Sequence, residues 1–134
     1  TSRQEMSIWV GRHNGQKTCH VRRFTLRTDG LVSIRAPYRG GEFVTRPLTF
    51  RGHALSINFA TSAVGGVRVE IQSAAGKPLP GFSLQDCREL FGDRLDQAVS
   101  WKSGTDVSQL AGRPIRLKFH MKDAHLYSLK FTTP

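Results

Sequence analysis

The six residues "VRVEIQ", 67–72, set Val67, Val69 and Ile71 on one side of an extended chain and Arg68, Glu70 and Gln72 on the other. Successive side chains of a strand point to opposite faces, so this alternation is that of a sheet with one dry and one wet side. Outward from it the same period recurs. "ALSINFA" (54–60) aligns Leu55, Ile57 and Phe59; "PIRLKFHM" (114–121) sets Ile115, Leu117 and Phe119 against Arg116, Lys118 and His120. "LYSLKF" (126–131) sets Tyr127, Leu129 and Phe131 against Ser128 and Lys130. Repeated period-two segments of about six residues predict strands.

Between and beyond these segments stand turn residues: Asp29-Gly30, Arg39-Gly40-Gly41, Arg51-Gly52, Gly65-Gly66 and Ala111-Gly112-Arg113-Pro114. Short strands punctuated in this way predict an all-β, antiparallel β-sandwich. The segment 76–97, "GKPLPGFSLQDCRELFGDRLDQ", interrupts the pattern. It predicts a long loop carrying one short helix capped by Ser83, with Leu79, Phe82, Leu84 and Leu90 packed over an open end of the sandwich.

A chain of 134 residues is the size of one domain, so residues 1–134 are expected to form a single module. Because the first residue is Thr, that module is expected to be a piece of a larger protein. No window approaches the roughly 18 to 20 apolar residues of a membrane-spanning helix, and "TSRQEM" has no apolar signal-peptide core. Cys19 and Cys87 lack metal-type spacing. They fit either one disulfide or two free buried thiols, with Cys19 in a strand and Cys87 near the short helix.

Net charge is +10, and residues 1–67 hold ten Lys and Arg against three Asp and Glu. Such a field favours anionic partners: sulfated or carboxylated polysaccharide, nucleic acid or an acidic protein surface. It equally fits a solvated surface. The five histidines, 13, 20, 53, 120 and 125, show no zinc-type spacing, since Cys19 and His20 would point to opposite faces of a strand. No Ser nucleophile motif, phosphate loop or dinucleotide fingerprint is present, and "GGVRVEIQ" leads into a strand rather than a helix.

What remains is a binding surface. Trp9, Tyr38 and Phe43 interleave with Arg12, Arg22, Arg23, Arg35, Arg39 and Arg46 in the basic half. Flat aromatic faces stack on sugar rings or bases, and guanidinium forks grip carboxylate, sulfate or phosphate. Large aromatics also serve as core, which is the competing reading for Trp9 and Phe43. Trp101 stands at a strand end and fits either role. In "HVRRFTLRTDGLVSIRA" (20–36), two extended segments about Asp29-Gly30 predict a hairpin whose Arg23, Arg27 and Arg35 form a cationic ledge.

The runs "VRVEIQSAAGKPLPGFSLQDCRELFGD" and "VSWKSGTDVSQLAGRPIRLKFHMKDAHLYSLKF" resemble a domain of bacterial glycoside-hydrolase-like proteins, with "RRFTLRTDGLVSIRAPYRGGEFVTRPLTF" similar to its start. That domain is the C-terminal β-sandwich behind a five-bladed β-propeller. The resemblance implies a jelly-roll or lectin-like accessory module, non-catalytic, that recognises carbohydrate and accompanies a catalytic domain. An extracellular or periplasmic location goes with it. Where the family pattern reads "KDADLYS" this chain has "KDAHLYS", so His125 replaces an acid, which counts against a cation site there, although jelly-roll modules often hold a structural calcium through oxygen ligands. No cofactor is expected, and metal ligands are left unassigned.

The resulting expectation is a carbohydrate-binding module for an anionic polysaccharide, with Trp9, Arg12, Arg23, Arg35, Tyr38, Arg39 and Trp101 as contacts. The alternative is a structural accessory domain that packs on a catalytic propeller and binds no sugar itself. Nucleic-acid binding rests on charge alone, because no recognition motif accompanies it.

Overall fold

The structure, a computed structural model, describes residues 4–133. It divides into two compact units, one ending at Val32 and one beginning at Ser33. Secondary structure is almost wholly antiparallel β, as the alternation predicted.

The first unit is a two-stranded ribbon. β1 (Glu5–Arg12) pairs with β2 (His20–Arg27), from Glu5 opposite Arg27 to Arg12 opposite His20. This corrects the expected hairpin over 20–36. Asp29-Gly30 does form a turn, with Asp29 at a φ of 58° and Gly30 N–H donating to the Arg27 carbonyl. The strand before it, however, pairs backward with "EMSIWVGR", whose own alternation supplies a complete register of cross-strand neighbours. One face of the ribbon carries Met6, Ile8, Val10, Phe24 and Leu26; the other carries Ser7, Trp9, Val21, Arg23 and Thr25.

The second unit is built on two long strands, β5 (Ala54–Ser73) and β7 (Ile115–Thr132), paired antiparallel along their length. β3 (Ile34–Ala36) and β4 (Gly41–Val44) pair in turn with the outer edge of β7, and β6 (Asp93–Ala98) pairs with β5. Gly65-Gly66, where the sequence predicts a turn between strands, lies instead within β5, at a break in register between Thr61 and Gly66. A β-carbon at Gly65 would stand 2.5 Å from the Asp123 carbonyl oxygen and 2.6 Å from that of Lys122, so the backbones meet here in a way only glycine permits. The four short strands read from alternation are thus two long ones. Tyr127 is the extra residue at a second irregularity, where Asn58 faces Ser128 but Phe59 faces Leu126.

Both halves of the long pair feed one core. Leu55, Ile57 and Phe59 from one half and Val67, Val69, Ile71, Leu117 and Phe119 from the other are fully buried together. Each such side chain contributes about 1.5–3 kcal/mol by leaving water, which makes this sandwich-like layer the main source of stability. Phe43 stacks on Phe119, with centroids 4.8 Å apart, and so takes the core role among its two readings.

The loop after β5 behaves as an added edge. Ile71 N–H donates to the Phe82 carbonyl, Leu79 N–H to Ile71, and Val67 and Leu90 exchange both bonds. Phe82 and Leu90 are buried and Leu79 packs against the core, as the apolar spacing indicated. The expected helix is reduced to one turn. Cys87 N–H bonds the Ser83 carbonyl, and the Ser83 hydroxyl bonds the Asp86 carboxylate at 2.7 Å, after which the chain runs on as an isolated bridge. The helical element that does form among the described residues is a 3-10 turn at Ser108–Leu110.

Cys19 and Cys87 are both free thiols. Cys87 is buried as expected; Cys19 is exposed and precedes β2 rather than lying in it.

Candidate functional site

β3 leads straight into the turn at residues 37–40, and this short path carries three of the predicted contacts. Arg35 is exposed in β3, directly opposite His125 of β7. The turn is closed by Gly40 N–H donating to the Pro37 carbonyl at 2.9 Å, with Gly40 at a φ of 85°. The same carbonyl accepts Asp123 N–H at 3.0 Å, which ties the turn to the irregular point of β7. Tyr38 and Arg39 are therefore displayed on a fixed support, and Tyr38 is 63% exposed.

β7 contributes the opposite side. The Lys122 ammonium lies 4.6 Å from the centroid of the Tyr38 ring, a cation–π arrangement that holds the ring's orientation. The Ser33 hydroxyl and His125 Nδ1 are 2.9 Å apart, and the His125 ring stacks nearly parallel to Tyr127, 14° between planes and 6.0 Å between centroids. Arg35, Tyr38, Arg39, Lys122, His125 and Tyr127 thus share one short stretch of strand edge and turn. Lys122 is not among the expected contacts; His125 is expected only as one of five unclustered histidines and a replaced acid, and Tyr127, expected on the dry face, is half-buried at the register irregularity instead. The signal was present in "KDAHLY", a cation with two aromatic rings, but its meaning depends on which strand pairs with it.

The cations at this edge are unpaired: Arg35, Arg39 and Lys122 make no ion pair with a carboxylate among the described residues. Elsewhere on the same unit, Lys118 pairs with Glu42 at 2.9 Å, Lys102 with Asp86 at 3.1 Å and Lys130 with Asp96 at 2.7 Å. Lys130 and the Ser56 hydroxyl hold the Asp96 carboxyl below its ordinary range, and Ser83 and Lys102 do the same for Asp86.

Trp101 is not a contact. It is fully buried, its indole N–H donates to the Val69 carbonyl at 3.0 Å, and Phe82 meets its ring edge-on. The core reading of that residue is correct, because the partnered N–H satisfies the ring's one polar atom.

Trp9, Arg12 and Arg23 lie in the ribbon of the first unit. Trp9 is 64% exposed, against the core alternative, and stands directly across from Arg23, whose guanidinium carbon is 6.0 Å from the ring centroid. Arg23 also bonds Ser7 Oγ at 3.0 Å and approaches Glu5 at 3.8 Å. Arg12 is exposed at the ribbon's tip.

No group of three or more His, Cys, Asp and Glu side chains gathers for a metal among the described residues. Burial pushes the Cys87 thiol up, outweighing the Val69 N–H that its sulfur accepts at 3.3 Å and that favours the thiolate, so the buried sulfur is a poor nucleophile. No protein-family model matches this chain, nor does any curated protein or solved structure.

Proposed function

We propose that this chain is a non-catalytic carbohydrate-binding module that recognises an anionic polysaccharide and accompanies a glycoside hydrolase. One observation carries the reading: the exposed Tyr38 ring lies against Lys122 on the strand edge and turn that also carry Arg35 and Arg39, and none of these three cations has a carboxylate partner among the described residues. An aromatic face takes the apolar side of a sugar ring, and guanidinium forks take sulfate or uronate oxygens. Rigid support from the Pro37 carbonyl lowers the ordering cost of binding. The test is an array of acidic and neutral polysaccharides at two salt concentrations, with Tyr38→Ala and Arg39→Ala. Loss of acidic-glycan binding in both variants supports the reading; unchanged binding in both removes it.

A second reading has its own observation. The ribbon exposes Ile8, Val10 and Phe24 on one face, and two-stranded ribbons are marginal without a covering layer. A structural accessory domain that packs on a catalytic domain would use such a face. Under this reading the module binds no polysaccharide, and Phe24→Ser disrupts association with the parent enzyme's remaining domains.

A further inference from the structure

The turn joining β1 to β2 holds two histidines in a way no reading of the sugar site uses. Its backbone is fixed by Gln16 N–H to the His13 carbonyl at 3.1 Å and Cys19 N–H to the Gln16 carbonyl at 3.0 Å. His13 adopts a left-handed φ of 53° just after β1, and His20 opens β2 opposite Arg12. Their rings meet edge-on, with centroids 5.4 Å apart.

One residue fixes both rings. His20 Nδ1 lies 2.9 Å from the Thr18 carbonyl oxygen, and His13 Nδ1 lies 2.9 Å from the Thr18 hydroxyl. A carbonyl only accepts, so the His20 bond places hydrogen on Nδ1 and leaves the lone pair of the neutral ring on Nε2. The Thr18 hydroxyl serves His13 as either donor or acceptor, and as acceptor it selects the same tautomer. An Nδ1–H held by an oxygen is the usual outer-shell arrangement behind a metal-ligating histidine.

The ring separation fits a shared ion. With Nε2 about 2.0–2.1 Å from the metal and the ring centre about 1.1 Å further, two imidazoles at a tetrahedral angle have centroids roughly 5.1 Å apart. The observed distance exceeds this by only a few tenths of an ångström. We infer that the β1–β2 tip is a two-histidine site for a borderline divalent transition-metal ion such as Zn²⁺, bound through Nε2 of His13 and His20 with solvent completing the coordination. Imidazole nitrogen suits Zn²⁺, Cu²⁺ and Ni²⁺ and not the oxygen-seeking Ca²⁺ and Mg²⁺. Cys19 stands outside the donor set, since its thiol is turned to Asn14 Oδ1 at 3.9 Å.

The test titrates the full chain with Zn²⁺ alone, reading affinity by calorimetry and imidazole nitrogen shifts by NMR. Expected are one bound ion and coordination shifts at Nε2 of His13 and His20, with His53, His120 and His125 unmoved. His13→Ala and His20→Ala each weaken binding at least about tenfold, and Thr18→Val, which removes only the hydroxyl held by His13, weakens it by about tenfold. A His125→Ala control keeps full affinity, and Ca²⁺ does not compete. Zn²⁺ affinity unchanged in either tip variant, or shifts confined to other histidines, overturns the inference. So does absence of Zn²⁺ binding by the folded wild-type chain.

Discussion

The indole N–H of Trp101 reaches 3.0 Å across the core to the carbonyl oxygen of Val69, at a point where β5 carries no second strand on that side. The bond does for the Val69 carbonyl what a neighbouring strand would do, and Cys87 Sγ accepts the N–H of the same residue. Trp101 is therefore a structural substitute for a strand as well as a core filler. Replacing it with Ala leaves a large cavity and an unpartnered buried carbonyl, and is expected to cost about 3–5 kcal/mol in urea denaturation. Trp101→Phe keeps most of the volume, loses the bond and costs less, about 1–3 kcal/mol. Equal stability of all three proteins would contradict this role.

Close backbone approach at Gly65 makes a second prediction. Gly65→Ala places a methyl against two carbonyl oxygens of β7, Asp123 and Lys122, and the required shift costs roughly 1–3 kcal/mol. At Gly41, where the nearest atom to an added β-carbon is Ala36 Cβ at 4.0 Å, the same substitution is tolerated within about 0.5 kcal/mol. Melting temperatures of the two variants measure the difference directly.

Acid sensitivity follows from Asp96. Lys130 and then the buried Ser56 hydroxyl stabilise its charged form, so its folded carboxyl titrates below the unfolded one. A depressed carboxyl contributes stability that is present above the ordinary Asp value of 3.8 and is lost as pH falls below it. The pair is solvent-exposed, so the contribution is small. Asp96→Asn is expected to flatten the fall in stability between neutral pH and pH 3, with little change in the slope at higher pH. An unaltered acid limb in the variant would contradict the assignment.

Replacing exposed residues of the proposed sugar site is expected to act on binding and leave the fold alone. Tyr38→Ala and Arg39→Ala are both expected to keep stability within about 0.5 kcal/mol of wild type, since both side chains lie on the surface. Trp101→Ala, by contrast, would lose ligand only in proportion to the fraction unfolded. Measuring affinity and stability on the same three preparations separates contact from support.

Much of this architecture was legible because alternation marks the apolar face of a strand whatever its partner, although Glu70 and Gln72, on the face expected to be wet, are buried as well. Val67, Val69, Ile71, Leu117 and Phe119 were all assigned to the dry face from spacing alone, and all are fully buried. Pairing was less legible. Glycine marks both a reversal and a close approach, and nothing in Gly65-Gly66 itself distinguishes them; only the carbonyls of Asp123 and Lys122 do. β2 turned back onto β1 rather than forward through Asp29-Gly30 because a turn signal does not determine which flanking segment supplies the better register. The same gap explains the site. Tyr38 stood out beside Pro37 and before two glycines, whereas Lys122, His125 and Tyr127 join it only once β3 is known to lie beside β7. Ser83 capped a turn as expected, but Glu70, which accepts the Leu84 N–H at 3.1 Å, and the bridges to Phe82 and Leu90 hold the segment extended beyond it.

The most direct test of the proposed sugar site is the affinity of the wild-type chain for a sulfated polysaccharide and its desulfated counterpart at ionic strengths of about 0.05 and 0.5 M. The account predicts binding of the sulfated polymer that weakens steeply with salt, little binding of the desulfated one, and a loss of about fivefold to tenfold in each of Tyr38→Ala and Arg39→Ala. Equal binding of both polymers at both salts, or full affinity retained in the two variants, would contradict it.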